Sequence, residues 1–104
     1  MDRVATLKQI LDQNPNDAFA RYGLAMEYSK SGNSADALRE FAALVQAHPD
    51  YTAGYFMAAQ VLAREGRNHE ARTMLMDGIA SADRTGNAHA KSEMAAMLGE
   101  LREH

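Results

Sequence analysis

The side chains able to do chemistry are few and scattered. Four histidines, His48, His69, His89 and His104, fall one per turn or terminus. A metal-dependent hydrolase of the common helical type needs two histidines a helical turn apart around a glutamate, and no His-Glu-x-x-His is present. His89 and Glu93 stand four residues apart, a spacing that suits a surface ion pair and leaves a metal ion short of ligands. There is no cysteine, which excludes a disulfide framework, a thiolate metal site and a cysteine nucleophile together. Gly32, Gly66 and Gly86 fall at expected helix ends, and none is followed by Lys-Ser or Lys-Thr, so no phosphate-binding loop forms. The chain therefore reads as non-catalytic, with no cofactor and no metal. What remains is recognition chemistry: Phe19, Tyr22, Met26 and Lys30, then Phe56, Gln60 and Arg64. Large apolar side chains supply binding energy when they are desolvated, and cations at their edge steer acidic groups.

Helices must position these residues. Val4, Leu7, Ile10 and Leu11 recur at helical spacing, predicting a helix over 3–13 with Asp2 as its cap and Asn14-Pro15 as its stop. A second helix is expected over 18–30, capped by Asp17 and ended by Gly32. A third follows over 35–47, capped by Ser34 and burying Ala37, Leu38, Phe41, Leu44 and Val45. Thr52 opens a second pair, whose later helix is expected over 68–80. Asn87 caps a final helix to about residue 103, with Ala90, Met94, Met97, Leu98 and Leu101 along one stripe. That stripe is expected to fold back onto the helix before it. Gly23, Gly54, Gly78 and Gly99 lie inside these helices, where each costs about 1 kcal/mol relative to Ala.

The chain also repeats itself. Pro15 and Pro49, Gly32 and Gly66, and Ala37 and Ala71 are each 34 residues apart, a solenoid period. Leu24, Ala25 and Tyr28, then Ala37 and Phe41, then Pro49, closely resemble the tetratricopeptide repeat. The resemblance implies an all-α solenoid of antiparallel helix pairs: a half-repeat helix at 3–13, one repeat at 18–51, a second at 52–85 and a capping helix at 87–103. Two departures stand out. Arg21 occupies a position where the family has Trp, suggesting that this end of the helix is less buried. Asp83 stands where the family has Pro, leaving the last turn less constrained.

Composition narrows the partners. With 11 basic and 14 acidic residues the net charge is −3, which gives no basic field to collect nucleic acid or anionic lipid. The N-terminus is charged where a signal peptide needs an apolar run, and no stretch approaches a membrane span. A cytoplasmic protein is the economical expectation, without nucleic acid or membrane.

On the helix of residues 18–30, Arg21, Leu24, Ala25 and Tyr28 cluster on one face, whereas Phe19, Tyr22 and Met26 lie roughly 140° away. One stripe is enough for packing. The second repeat puts Phe56 and Gln60 on the matching face, with Arg64 following them as Lys30 follows Met26. The resemblance implies that this face lines a concave groove. The expected function is a protein-interaction module that binds a peptide or partner helix there, on a chain expected to be monomeric. The alternative is an assembly subunit that self-associates through a terminal helix. Some members of the family clamp a peptide's terminal carboxylate with Lys and Asn; Tyr22 and Met26 hold the matching positions, so such a clamp is not expected.

Overall fold

The computed structural model describes residues 2–102, which form six helices: α1 Arg3–Gln13, α2 Ala18–Lys30, α3 Ser34–Ala47, α4 Thr52–Arg64, α5 Asn68–Thr85 and α6 Ala88–Arg102. The expected end of the last helix at residue 103, and His104, lie outside the described residues. Each helix packs against the next in chain order, and the described residues contain no strand.

Local sequence explains most helix ends. Asp2 accepts from the Val4 and Ala5 amides, Asp17 from Ala20 at 3.0 Å, and Asn87 from Ala90 at 3.0 Å. Each carboxylate or amide oxygen satisfies an amide that has no partner within its helix. The exits repeat one motif: Asn33 N–H donates to Tyr28 O, Arg67 to Leu62 O and Asn87 to Ala82 O, each bond spanning five residues. The intervening glycine supplies the left-handed conformation this closure needs, with φ 82° at Gly32 and 68° at Gly86.

Two expectations are corrected. Ser34 is the first residue of α3 rather than its cap; Asn33 precedes it and makes no side-chain capping bond. More consequentially, α5 does not stop at Ala80 but runs on to Thr85. With Asp83 in place of a proline nothing clashes with the preceding turn, so the helix continues until Gly86 ends it. The longer α5 reaches back to the turn between α3 and α4, where Arg84 donates to Asp50 Oδ1 at 2.8 Å and to Pro49 O at 3.0 Å. Lys91 closes the other side of that helix end on Asp83, at 2.7 Å. The last turn is thus tied down on both sides, contrary to the expectation of looseness.

The core consists of three clusters divided by helix faces. Leu24 belongs to the first, with Leu7, Leu11 and Ala20, while its neighbour Ala25 belongs to the second, with Ala37, Phe41, Leu44, Ala58 and Val61. Ala58 and Ala59 divide in the same way between the second cluster and the third, which holds Leu62, Ala71, Leu75, Met94 and Leu101. Adjacent residues on a helix point about 100° apart. A helix sandwiched between two others therefore needs a small or apolar residue at both places. Ala25, Ala37, Ala58, Ala59 and Ala71 are fully buried, which lets the helix axes approach. Met94 and Leu101 bury the α6 stripe in the chain's own third cluster, with Ala90, Met97 and Leu98 beside them.

Arg21 does mark a less buried helix end than its repeat equivalent Tyr55, which is buried. Arg21 is half-buried, and its guanidinium pairs with Glu40 at 2.6 Å and donates to Pro15 O at 3.2 Å. One period later Tyr55 donates its hydroxyl to Pro49 O at 2.8 Å. Two different side chains at the same repeat position thus satisfy equivalent proline carbonyls, one period apart. Between α4 and α5, Thr52 and Ser81 join their hydroxyls at 2.8 Å inside the core, Ser81 being fully buried.

Candidate functional site

α2 presents Phe19, Tyr22, Met26 and Lys30 together, and these four line one open depression at the α1–α2 side of the molecule with Arg3, Gly23 and Glu27. Phe19 is 74 % exposed, more than any other large apolar side chain in the described residues. Nothing in the local helix requires an aromatic there. Met26 is half-buried at the edge of the second cluster. Tyr22 is also half-buried: its ring meets Phe41 edge-on with centroids 6.3 Å apart and Tyr51 at 5.4 Å. Burial raises the pKa of both tyrosine hydroxyls, with the neighbouring Tyr22 and Asp17 adding to the effect at Tyr51, so both phenols stay neutral at physiological pH.

The second-repeat residues are not brought into this depression. Phe56 is half-buried against the third core cluster, the one that α6 completes. Gln60 is half-buried. Arg64 is exposed and reaches from α4 to Ser29 Oγ of α2 at 3.1 Å. Lys30 stands instead beside Glu27, at 3.6 Å. The two cations therefore hold the same repeat position with different partners.

Arg3 and Glu27 were missed by sequence reasoning. Glu27 was within reach, since Phe19, Gly23 and Glu27 lie at successive four-residue steps of one helix. Arg3 was not, because it enters only through the way α1 docks across α2, where its Nε lies 2.8 Å from Glu27. His89 and Glu93 form the exposed pair expected of them, at 3.0 Å. Among the described residues no group of three or more His, Cys, Asp or Glu side chains could hold a metal ion, and no helix is long and apolar enough to cross a membrane.

A sequence profile of the tetratricopeptide repeat matches residues 1–55, from α1 into α4. The chain belongs to the tetratricopeptide repeat family. It is 27 % identical over 95 residues to a TPR repeat-containing protein of Pseudomonas aeruginosa, covering 91 % of this chain and 90 % of that one. The solution structure of a tetratricopeptide repeat domain protein from Salinibacter ruber superposes with a TM-score of 0.79 at 32 % identity, over 85 % of this chain and 89 % of that one. The type III secretion translocator chaperone SycD of Yersinia enterocolitica shares the fold, with a TM-score of 0.86 at 15 % identity over 95 % of this chain and 69 % of that one. The stacked helix pairs, the repeated helix exits and the small residues at helix crossings are those of a tetratricopeptide repeat solenoid.

Proposed function

We infer that this tetratricopeptide repeat protein is a non-catalytic interaction module, which takes a peptide or partner helix on the groove face of α2 and α4. On this reading Phe19, Tyr22 and Met26 form the floor of its α2 half with Lys30 at the edge, and Phe56, Gln60 and Arg64 continue it on α4, outside the depression. The observation that carries the reading is the 74 % exposure of Phe19, an aromatic ring left over after packing is satisfied, in an open depression that the half-buried Tyr22 and Met26 also line. The likeness to SycD, named as a chaperone, agrees with a protein partner. The α6 stripe is buried within the chain, which favours a monomer over self-association through that helix. The reading places the protein in the cytoplasm, to be checked by cell fractionation.

The test is direct binding between purified components. Partners captured from native cell extract by the wild-type chain are remeasured against Phe19→Ala, whose side chain is exposed and whose loss leaves the core untouched. A loss of roughly tenfold or more in affinity, with the helical spectrum and melting temperature unchanged, supports the groove. Unchanged affinity for every captured partner removes it.

A further inference from the structure

The depression between α1 and α2 carries a charge balance that the whole chain does not. The protein has a net charge of −3, yet Arg3 and Lys30 line the depression against one carboxylate, Glu27, among its described lining residues. A third cation, Arg64, is brought from α4 to Ser29, the residue beside Lys30. Glu27 is the most sheltered of the ionic group, its side chain 21 % exposed against 61 % for Arg3 and 70 % for Lys30. Arg3 Nε at 2.8 Å and Lys30 Nζ at 3.6 Å both approach the same oxygen, Oε1 of Glu27. A guanidinium offers five N–H donors and an ammonium three, more than one oxygen can accept. Both cations thus face the depression with donor capacity to spare, next to the exposed ring of Phe19.

We propose that this depression selects a peptide whose apolar side chain lies on Phe19 and Met26 and whose flanking Asp or Glu is taken by Arg3 and Lys30, with Glu27 as the built-in competitor for those two cations. The inference rests on the groove reading above and adds the chemistry of the ligand. Exposed ion pairs are weak and screened, so a ligand carboxylate can share or replace Glu27 at little loss. As the ligand covers the site and excludes water, the new pair strengthens. A basic flank meets repulsion from Arg3, Lys30 and Arg64, and this repulsion is the specificity element. Glu27 sets the threshold, since it lowers the potential that an acidic ligand feels.

The experiment uses the full chain to select from a phage-displayed random dodecapeptide library, followed by fluorescence anisotropy with the enriched peptides synthesised as C-terminal amides. Expected are sequences with Asp or Glu beside an aromatic or aliphatic residue. Glu27→Gln tightens their binding about threefold to tenfold and Arg3→Ala weakens it by a similar factor, both differences shrinking as salt is raised. Neutral or basic flanks on peptides that still need Phe19, or no tightening by Glu27→Gln, overturn the charge assignment and leave the groove standing. An absence of enrichment, or peptides indifferent to Phe19→Ala, overturns the groove and the inference with it.

Discussion

Gly78 and Gly99 lie in helices of the same chain and should respond in opposite directions to the same substitution. An alanine side-chain carbon at Gly99 meets nothing within 4 Å, whereas at Gly78 it would sit 2.5 Å from Met94 Sδ and 2.7 Å from Tyr55 Cβ. In both helices alanine removes about 1 kcal/mol of unfavourable glycine propensity. Gly99→Ala realises that gain, about 0.5–1 kcal/mol, and raises the melting temperature by roughly 2 to 8 °C for a domain of this size. At Gly78 the thioether can swing aside, but Tyr55 Cβ is fixed to the α4 backbone, so α4 and α5 must separate. Overpacking of this kind costs about 1–3 kcal/mol, and contacts this short belong in the upper half of that range. The net loss is about 1–2 kcal/mol, a fall of roughly 5 to 15 °C. Thermal unfolding followed by circular dichroism and calorimetry measures both variants. If Gly78→Ala stabilises as much as Gly99→Ala, the close approach of α4, α5 and α6 at Gly78 is wrong.

The buried Thr52–Ser81 hydroxyl pair should behave as a unit: Ser81→Ala leaves Thr52 Oγ1 only its long 3.5 Å bond to Asp50 O and costs about 1–2 kcal/mol, and adding Thr52→Val costs less than the sum of the two by urea titration. Met94→Asp places a carboxylate in a fully buried position; the melting temperature should fall sharply while light scattering still reports a monomer, and loss of a dimer with stability kept would refute the fold-back of α6. Tyr22, Tyr51 and Tyr55 all have pKa values raised above 10.0, chiefly by burial. Their folded forms hold the proton more tightly than the unfolded chain does, so their contribution is intact below pH 10.0 and is lost as pH climbs through the folded values. Tyr22→Phe with Tyr51→Phe should flatten that alkaline decline in a pH series of melting temperatures.

The 34-residue period and helical spacing made the architecture legible, because Pro15 and Pro49 end the half-repeat and the first repeat, and both repeats carry a glycine turn and a small residue at the crossing. The extension of α5 was not legible: Asp83 removes a stop without adding a visible start, and only the position of Asp50 and Pro49 shows what Arg84 reaches. The lesser burial at Arg21 was legible from its charge, but its ion pair was not, because its partner Glu40 lies on another helix. The crowding at Gly78 likewise depends on three helices meeting. For the candidate site, spacing alone picked out the face of α2 that holds Phe19, Tyr22 and Met26. The half-burial of Phe56 against the α6 cluster and the entry of Arg3 follow from docking geometry that no single helix encodes.

The division of neighbouring residues between successive core clusters means that each helix is held by its two flanking helices and by little else, so cooperativity passes along the stack like coupling between nearest neighbours in a ladder. α4, in the middle, buries seven residues, while α1 buries Leu7 and Leu11 alone. At the other end α6 likewise buries two, Met94 and Leu101, so fraying should begin at the two end helices and leave α4 as the slowest-exchanging segment in native-state hydrogen exchange. When α1 lifts, Leu7 and Leu11 leave Ala20 and Leu24, and Arg3 departs from the wall of the depression while Phe19, Tyr22 and Met26 stay on α2. The shape and charge of that surface are thus set in part by an end rung, and a ligand that bridges α1 and α2 would tighten that end of the ladder as it binds.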